Sequence, residues 1–262
     1  SLKDVHGYQP YRGIPELRNA FSQWYARQFG VNLSPENEIL PLLGSKEGIM
    51  HISMAFLNKG DGVLVPDPGY PAYEAAAKMC AAQVNHYHLT EENNWLPDLA
   101  ALERQDLSRV KIMWVNYPHM PTGTRPTKEL FSRLINFGVR HNILIINDNP
   151  YSLILNSNPM SILSSPGAKP IALEMNSLSK SHNMAGWRIG MVAGSESHIN
   201  AILKVKSKMD SGMFLPLQLA GIKALGLGRE WYDSLNNTYH ERRLLVIKLL
   251  QKLGSTFEQE QS

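Results

Sequence analysis

The sequence holds 262 residues, 43% of them hydrophobic and 19% charged, with 16 prolines and a net charge of +3. That length makes one large domain, or one domain and part of another, and the composition is that of an ordinary α/β protein with a sizeable core. The small charge excludes the dense basic face of a nucleic-acid binder, the lone Cys80 excludes an intrachain disulfide and favours a reducing, cytosolic setting, and no apolar run is long enough to span a bilayer.

In chain order, Pro15 to Phe29 is predicted as a helix, with Leu17, Phe21, Trp24 and Tyr25 at helical spacing and Gly30 as its stop. Ile39 to Leu43 is a short strand, and Gly44-Ser45 opens a helix through Ala55. Gly62 to Val65 is a strand ended by Pro66, Tyr73 to Cys80 a helix, Gln83 to His88 a strand. Val110 to Val115 is a strand leading into a Pro/Gly loop from Pro118 to Gly123. Lys128 to His141 is a helix, and Ile143 to Ile146, Ile171 to Glu174 and Ile189 to Ala193 are strands. Helices follow over Ser197 to Lys208, Leu217 to Leu225 and Glu230 to Leu253.

Strands alternating with helices predict an α/β fold: a largely parallel sheet covered on both faces. Residues 1–225 are assigned to one large domain, its arm over 1–14 and its body from about Tyr11. Residues 226–262 hold the long helix that begins a second, smaller and incomplete domain. Both ends are expected to be those of a fragment, or of a chain with disordered or missing ends. The chain opens at Ser1 in a turn-rich segment and closes in Glu258-Gln259-Glu260-Gln261-Ser262 after the long helical pattern. No signal-peptide pattern is read at the start. Lys204, Lys206 and Lys208 are read as a solvated helix face, and Asn236-Asn237-Thr238 as a chance sequon.

The most specific chemistry lies in Ser177-Leu178-Ser179-Lys180, followed by Gly186-Trp187-Arg188. One amine sits among hydroxyls with a guanidinium eight residues on. An amine can form a Schiff base with an aldehyde, and a guanidinium can grip a phosphate through two parallel hydrogen bonds. A free lysine titrates at about 10.4, so a site that uses one chemically must change its surroundings. Asp148, in Asp148-Asn149-Pro150-Tyr151, follows the strand Ile143 to Ile146, where open α/β sheets place their ligands. A carboxylate there can pair with a protonated pyridine nitrogen; alone, the same residue is an aspartate at a loop entry. Gly44-Ser45-Lys46-Glu47-Gly48 has an anion-binding geometry at a helix start, which is also an ordinary serine-capped helix. Asp67-Pro68-Gly69-Tyr70-Pro71 holds a tyrosine on a rigid turn, a platform for an aromatic ring or simply a turn. Tyr8 precedes Gly13-Ile14-Pro15-Glu16-Leu17-Arg18, a turn entering a helix.

Together these segments resemble the class I/II aminotransferases, fold type I enzymes that use pyridoxal 5'-phosphate, in a branch similar to bacterial diaminopimelate and broad amino acid aminotransferases. The resemblance runs from Tyr8 to Arg188 in the family's order. It implies a three-layer αβα large domain with a mostly parallel mixed sheet and a small C-terminal domain. It makes Lys180 the Schiff-base lysine, Asp148 the partner of the pyridine nitrogen, Tyr151 the partner of the phenolic oxygen and Tyr70 the stacking aromatic. Ser45, Lys46, Glu47, Ser177, Ser179 and Arg188 form the phosphate cup. Tyr8 reaches a phosphate in the partner subunit of a homodimer. The substrates implied are an amino acid and a 2-oxo acid, with Lys180 moving the proton; no metal, nucleic acid or membrane is implied.

Two departures stand out. Met120-Pro121-Thr122-Gly123 occupies the place of the family's Asn-Pro-Thr-Gly, which removes a hydrogen bond to the phenolic oxygen worth on the order of 1 kcal/mol; Asn116 is the candidate substitute. The family's arginine for the substrate carboxylate belongs to the C-terminal small domain, which the chain does not complete. The alternatives are a lyase or synthase on the same fold, and a cofactor-binding regulatory domain, against which no helix-turn-helix precedes Tyr8. A Ser-x-x-Lys hydrolase is disfavoured because Ser-Asp-Asn and Lys-Thr-Gly are both missing.

Overall fold

The computed structural model describes residues 5–256; Ser1–Asp4 and residues 257–262, with the acidic closing run and the first residues of the arm, lie outside the described residues. Helix α1 (Pro15–Phe29) starts with proline in its first turn, where no N–H is needed, and stops at Gly30, whose φ of 66° is left-handed. There follow β1 (Ile39–Leu42), α2 (Ser45–Phe56), β2 (Gly62–Asp67), α3 (Ala72–Met79), β3 (Gln83–His88), α4 (Leu99–Leu102), β4 (Val110–Val115), α5 (Lys128–His141) and β5 (Leu144–Asp148). Then come β6 (Ala172–Ser177), α6 (Leu178–Ser181), β7 (Gly190–Gly194), α7 (Glu196–Lys206), α8 (Leu215–Leu225) and α9 (Arg229–Lys252).

The strands form one seven-stranded sheet in the order β1-β7-β6-β5-β4-β2-β3. Pairs among β2, β3, β4, β5 and β6 are parallel, whereas β7 runs antiparallel to both β1 and β6. The central strands are apolar on both sides because helices cover both faces. On β4, Met113 and Val115 join Phe21 and Trp24 of α1 and Leu130 and Leu134 of α5 in one core. Ile112 and Trp114 join Ile49 and Ile52 of α2, Tyr73 of α3 and Ile199 of α7 in the other. Each fully buried large side chain of this kind contributes roughly 1.5–3 kcal/mol. The result is the three-layer αβα arrangement.

Three local differences from the sequence reading have physical causes. Pro66 lies inside β2 rather than ending it: β2 pairs with β4 only over Gly62–Leu64, so the missing N–H falls beyond that ladder. Strands β5 and β6 run on to Asp148 and Ser177, carrying polar residues into the sheet's end. Lys180 sits in a one-turn helix, α6, absent from the sequence-based elements.

Helix α9 is different in kind. None of its residues is buried, and Leu244, Leu245, Val246 and Leu249 are exposed. Its first turn is docked: Trp231 Nε1 donates to the Ser181 carbonyl at 3.2 Å, and Tyr232 Oη pairs with His182 Nε2 at 3.2 Å, holding the turn that carries Lys180.

Candidate active site

The carboxyl ends of β4, β5 and β6 open on a cavity of about 220 Å3. Lys180, Asp148, Tyr70, Tyr151, Ser45, Lys46, Ser177, Ser179 and Arg188 all line it, so residues scattered over 144 positions of sequence converge on one place.

The deep end is Asp148. It is buried, and its Oδ2 accepts from the Tyr73 hydroxyl at 3.0 Å. Its Oδ1 is equally buried and has no partner. Burial is the main cause that pushes this carboxyl up to about 7, with the Glu174 charge adding to it; the Tyr73 hydrogen bond opposes the rise. Tyr73 is itself fixed by stacking on Trp114, with ring centroids 4.8 Å apart at 8°, and by an edge contact with Tyr70 at 5.7 Å. Asn116 donates from Nδ2 to the Asp148 carbonyl at 2.6 Å and accepts the Met120 N–H at 3.0 Å. Its amide is thus engaged by backbone at both ends, and Met120 lines the cavity wall with a thioether.

The amine of Lys180 lies between the two ends, 5.9 Å from the Tyr151 ring centroid. The open end is made by Ser45 and Lys46 at the start of α2, whose first N–H groups have no partner within the helix. Arg188 passes directly beside Gly44. A Cβ on that glycine would collide with Nη2, and its φ of 86° is one that side-chain-bearing residues avoid. Arg188 is anchored through Nη1 to the Ala185 carbonyl at 2.8 Å. Ser177 Oγ accepts from the Ser179 N–H at 3.0 Å, which fixes the serine pair at the cavity edge.

Two of the residues named from sequence stand apart from this lining. The Glu47 carboxylate turns back onto the Leu43 N–H at 2.6 Å and toward His51 Nε2 at 3.3 Å, so only its backbone is available to an anion in the cup. Tyr8 is 91% exposed and stands outside its own chain's cavity. Glu47 and His51 also approach Asp210, but the Lys206 ammonium already holds Asp210 at 2.6 Å and supplies the cation there.

Sequence reasoning missed Tyr73, Trp114 and Glu174. The three-residue step from Tyr70 to Tyr73 across the start of α3 was the available signal for Tyr73, since it places both rings on one side. Trp114 and Glu174 carry no motif.

The donor set fits a phosphorylated pyridine aldehyde. A buried carboxylate oxygen is free for a ring N–H, an amine stands in the middle, and a helix start with a guanidinium forms the mouth. Asp148 without such a partner would be a buried carboxyl with an idle oxygen.

The family model for aminotransferase class I and II matches residues 1–262. The chain is 43% identical over 251 residues to the LL-diaminopimelate aminotransferase of Aquifex aeolicus, covering 95% of this chain and 65% of that protein. Among solved structures, apo-BacF from Bacillus subtilis superposes with a TM-score of 0.95 at 36% identity, covering 98% of this chain and 66% of that one. An aminotransferase from Staphylococcus aureus gives 0.93 at 30% identity over 100% of this chain and 69% of its own. The chain therefore spans about 65% of the length of the curated relatives it matches. On its fold, its site and these likenesses, the chain belongs to the aminotransferase class I and II family.

Proposed function

We propose that the chain forms the cofactor-binding part of a pyridoxal-phosphate-dependent aminotransferase that moves an amino group between an amino acid and a 2-oxo acid. The observation that carries this reading is the free, buried Oδ1 of Asp148 in the same cavity as the Lys180 amine and the Arg188–Ser45 mouth. When bound, pyridoxal phosphate supplies an electron sink for the pair left as an amino acid loses its α-proton. Lys180 Nζ would be the attachment point and, once free, the base that takes that α-proton and passes it to the cofactor's aldehyde carbon. Asp148 keeps the ring nitrogen protonated by accepting its N–H, while Tyr73 occupies the other carboxylate oxygen. Tyr70 covers a ring face and excludes water, and Tyr151 donates to the phenolic oxygen. Ser45, Lys46, Ser177, Ser179 and Arg188 bind the phosphate, with Glu47 contributing its backbone N–H.

The exposed Tyr8 is assigned to the phosphate of a second copy, which makes the active unit a homodimer. Residues 1–225 are taken as the cofactor domain and the helix from 226 as the start of a smaller one. A cytoplasmic setting goes with this reading; among the described residues no helix is long and apolar enough to cross a membrane. The names of the curated relatives make LL-diaminopimelate the first amino donor to test. The experiment supplies pyridoxal phosphate, that donor within a panel of amino acids, and a series of 2-oxo acids. Stoichiometric conversion of a 2-oxo acid to its amino acid supports the proposal. Release of ammonia without an amino acid product contradicts it and favours elimination chemistry.

A further inference from the structure

Glu174, on β6, is wholly buried at 0% exposure and takes no part in the cavity lining. A buried carboxylate without a cation is costly to keep. All of its partners are neutral donors from separate parts of the chain. The Tyr25 hydroxyl donates to Oε1 at 3.0 Å, and Oε2 accepts from Asn147 Nδ2 at 3.0 Å and from the Ile162 N–H at 2.9 Å. Two of these lead to the site. Asn147 Oδ1 accepts the Tyr117 N–H at 3.0 Å, so it pins the loop that begins with Asn116 and carries Met120. Ile162 closes the segment that starts at Asn149 and holds Tyr151; within it, Asn149 Nδ2 donates to the Met160 carbonyl at 3.1 Å. The β5–β6 register sets Asn147 opposite Glu174 and Asp148 opposite Met175. Strand alternation then turns Asp148 to the cavity while Asn147 turns to Glu174 on the other face.

We infer that Glu174 is a positioning residue for the cofactor's ring: through Asn147 and Ile162 it anchors both loops that flank the ring and fixes the backbone that bears Asp148. The inference rests on the proposed function, since it concerns the site that would hold pyridoxal phosphate. A carboxylate offers one oxygen to Tyr25 and the other to Asn147 and Ile162, so all three donors are satisfied at once. Glutamine in its place keeps one oxygen for Asn147 and Ile162 and can turn its amide to Tyr25, whose hydroxyl also accepts.

The test measures the Kd for pyridoxal phosphate, the pH midpoint of the bound cofactor's absorbance band, and the Tm of the cofactor-free protein. Asn147→Leu and Glu174→Leu should each raise Kd about five- to tenfold, the loss of one site-ordering hydrogen bond, and move the pH midpoint. The double variant should raise Kd by less than the product of the two single effects, because both cut the Glu174–Asn147 bond. Glu174→Gln should restore Kd to within about twofold of wild type. Tyr25→Phe breaks the bond that leads away from the site and should lower Tm alone. Should Asn147→Leu fail to fold, Asn147→Ser carries the same expectation. Wild-type Kd and midpoint in the Asn147 and Glu174→Leu variants, with only Tm reduced, would overturn the inference and leave the proposed function standing. Additive effects in the double variant would also overturn it. A wild-type protein that fails to bind pyridoxal phosphate overturns both.

Discussion

The two ends of the cavity are built by different physics. At the deep end, Asp148 is buried and already bonded to Tyr73, with Trp114, Asn116 and the β5 backbone behind it. Little there can relax, so the position of the carboxyl is fixed before any ligand arrives. At the mouth, Lys46 and Arg188 are exposed, and affinity comes from a helix start, a glycine that leaves room, and a solvated guanidinium. Helix-dipole effects there are worth about 0.3–2 kcal/mol and are screened by salt. On the proposed function, the deep end would govern chemistry and the mouth would govern retention of the phosphate.

The contrast can be broken most severely at Asp148. Asp148→Asn should lower turnover on the order of 10²–10³-fold, as loss of a preorganised charge does, while pyridoxal phosphate still binds. Turnover within a few-fold of wild type would remove the distinction between the ends. The same residue sets a stability trend in the cofactor-free protein. Its carboxyl is raised to about 7 by burial, so the folded state holds a proton that the unfolded chain, titrating near 3.9, has released. Stability from this group is present below pH 4 and is lost as pH rises toward 7, by roughly 4 kcal/mol for three units. Denaturant unfolding across that range should show the loss in wild type and not in Asp148→Asn.

At the mouth, Gly44→Ala places a methyl against Arg188 and demands a left-handed backbone, at a cost of about 1–3 kcal/mol. Its effect should fall on pyridoxal phosphate and spare unphosphorylated pyridoxal, so the ratio of the two Kd values should shrink about tenfold. Equal weakening of both ligands would mean that the mouth also holds the ring. The smallest effect is expected from Tyr73→Phe. Losing the 3.0 Å bond raises the Asp148 carboxyl further and weakens cofactor binding near neutral pH by about 1 kcal/mol, an effect that should fade at alkaline pH.

Periodicity and short motifs encode much of the fold. The strand Val110 to Val115 and the helices Pro15 to Phe29 and Lys128 to His141 match the observed elements. The covered parallel sheet follows from apolar runs between helical patterns. Lys180, Asp148, Tyr70 and Arg188 were named on short motifs that resemble the family's, and the fold brings all four to one cavity. The Pro66 boundary was not, because whether a strand tolerates proline depends on where its neighbour's ladder stops, a tertiary fact. Glu47 read as a phosphate ligand by position, yet its carboxylate serves the helix's own first turn. Glu174 and Trp114 could not be found in advance, since the partners of Glu174 lie 12 to 149 positions away and the ring that Trp114 stacks on lies 41 away.

The most direct measurement reduces the protein with borohydride after incubation with pyridoxal phosphate and maps the modified peptide by mass spectrometry. The account predicts one stoichiometric phosphopyridoxyl group on Lys180, with its absorbance band gone in Lys180→Ala. Modification spread over surface lysines, or a Lys180→Ala protein that keeps both the band and the adduct, would contradict it.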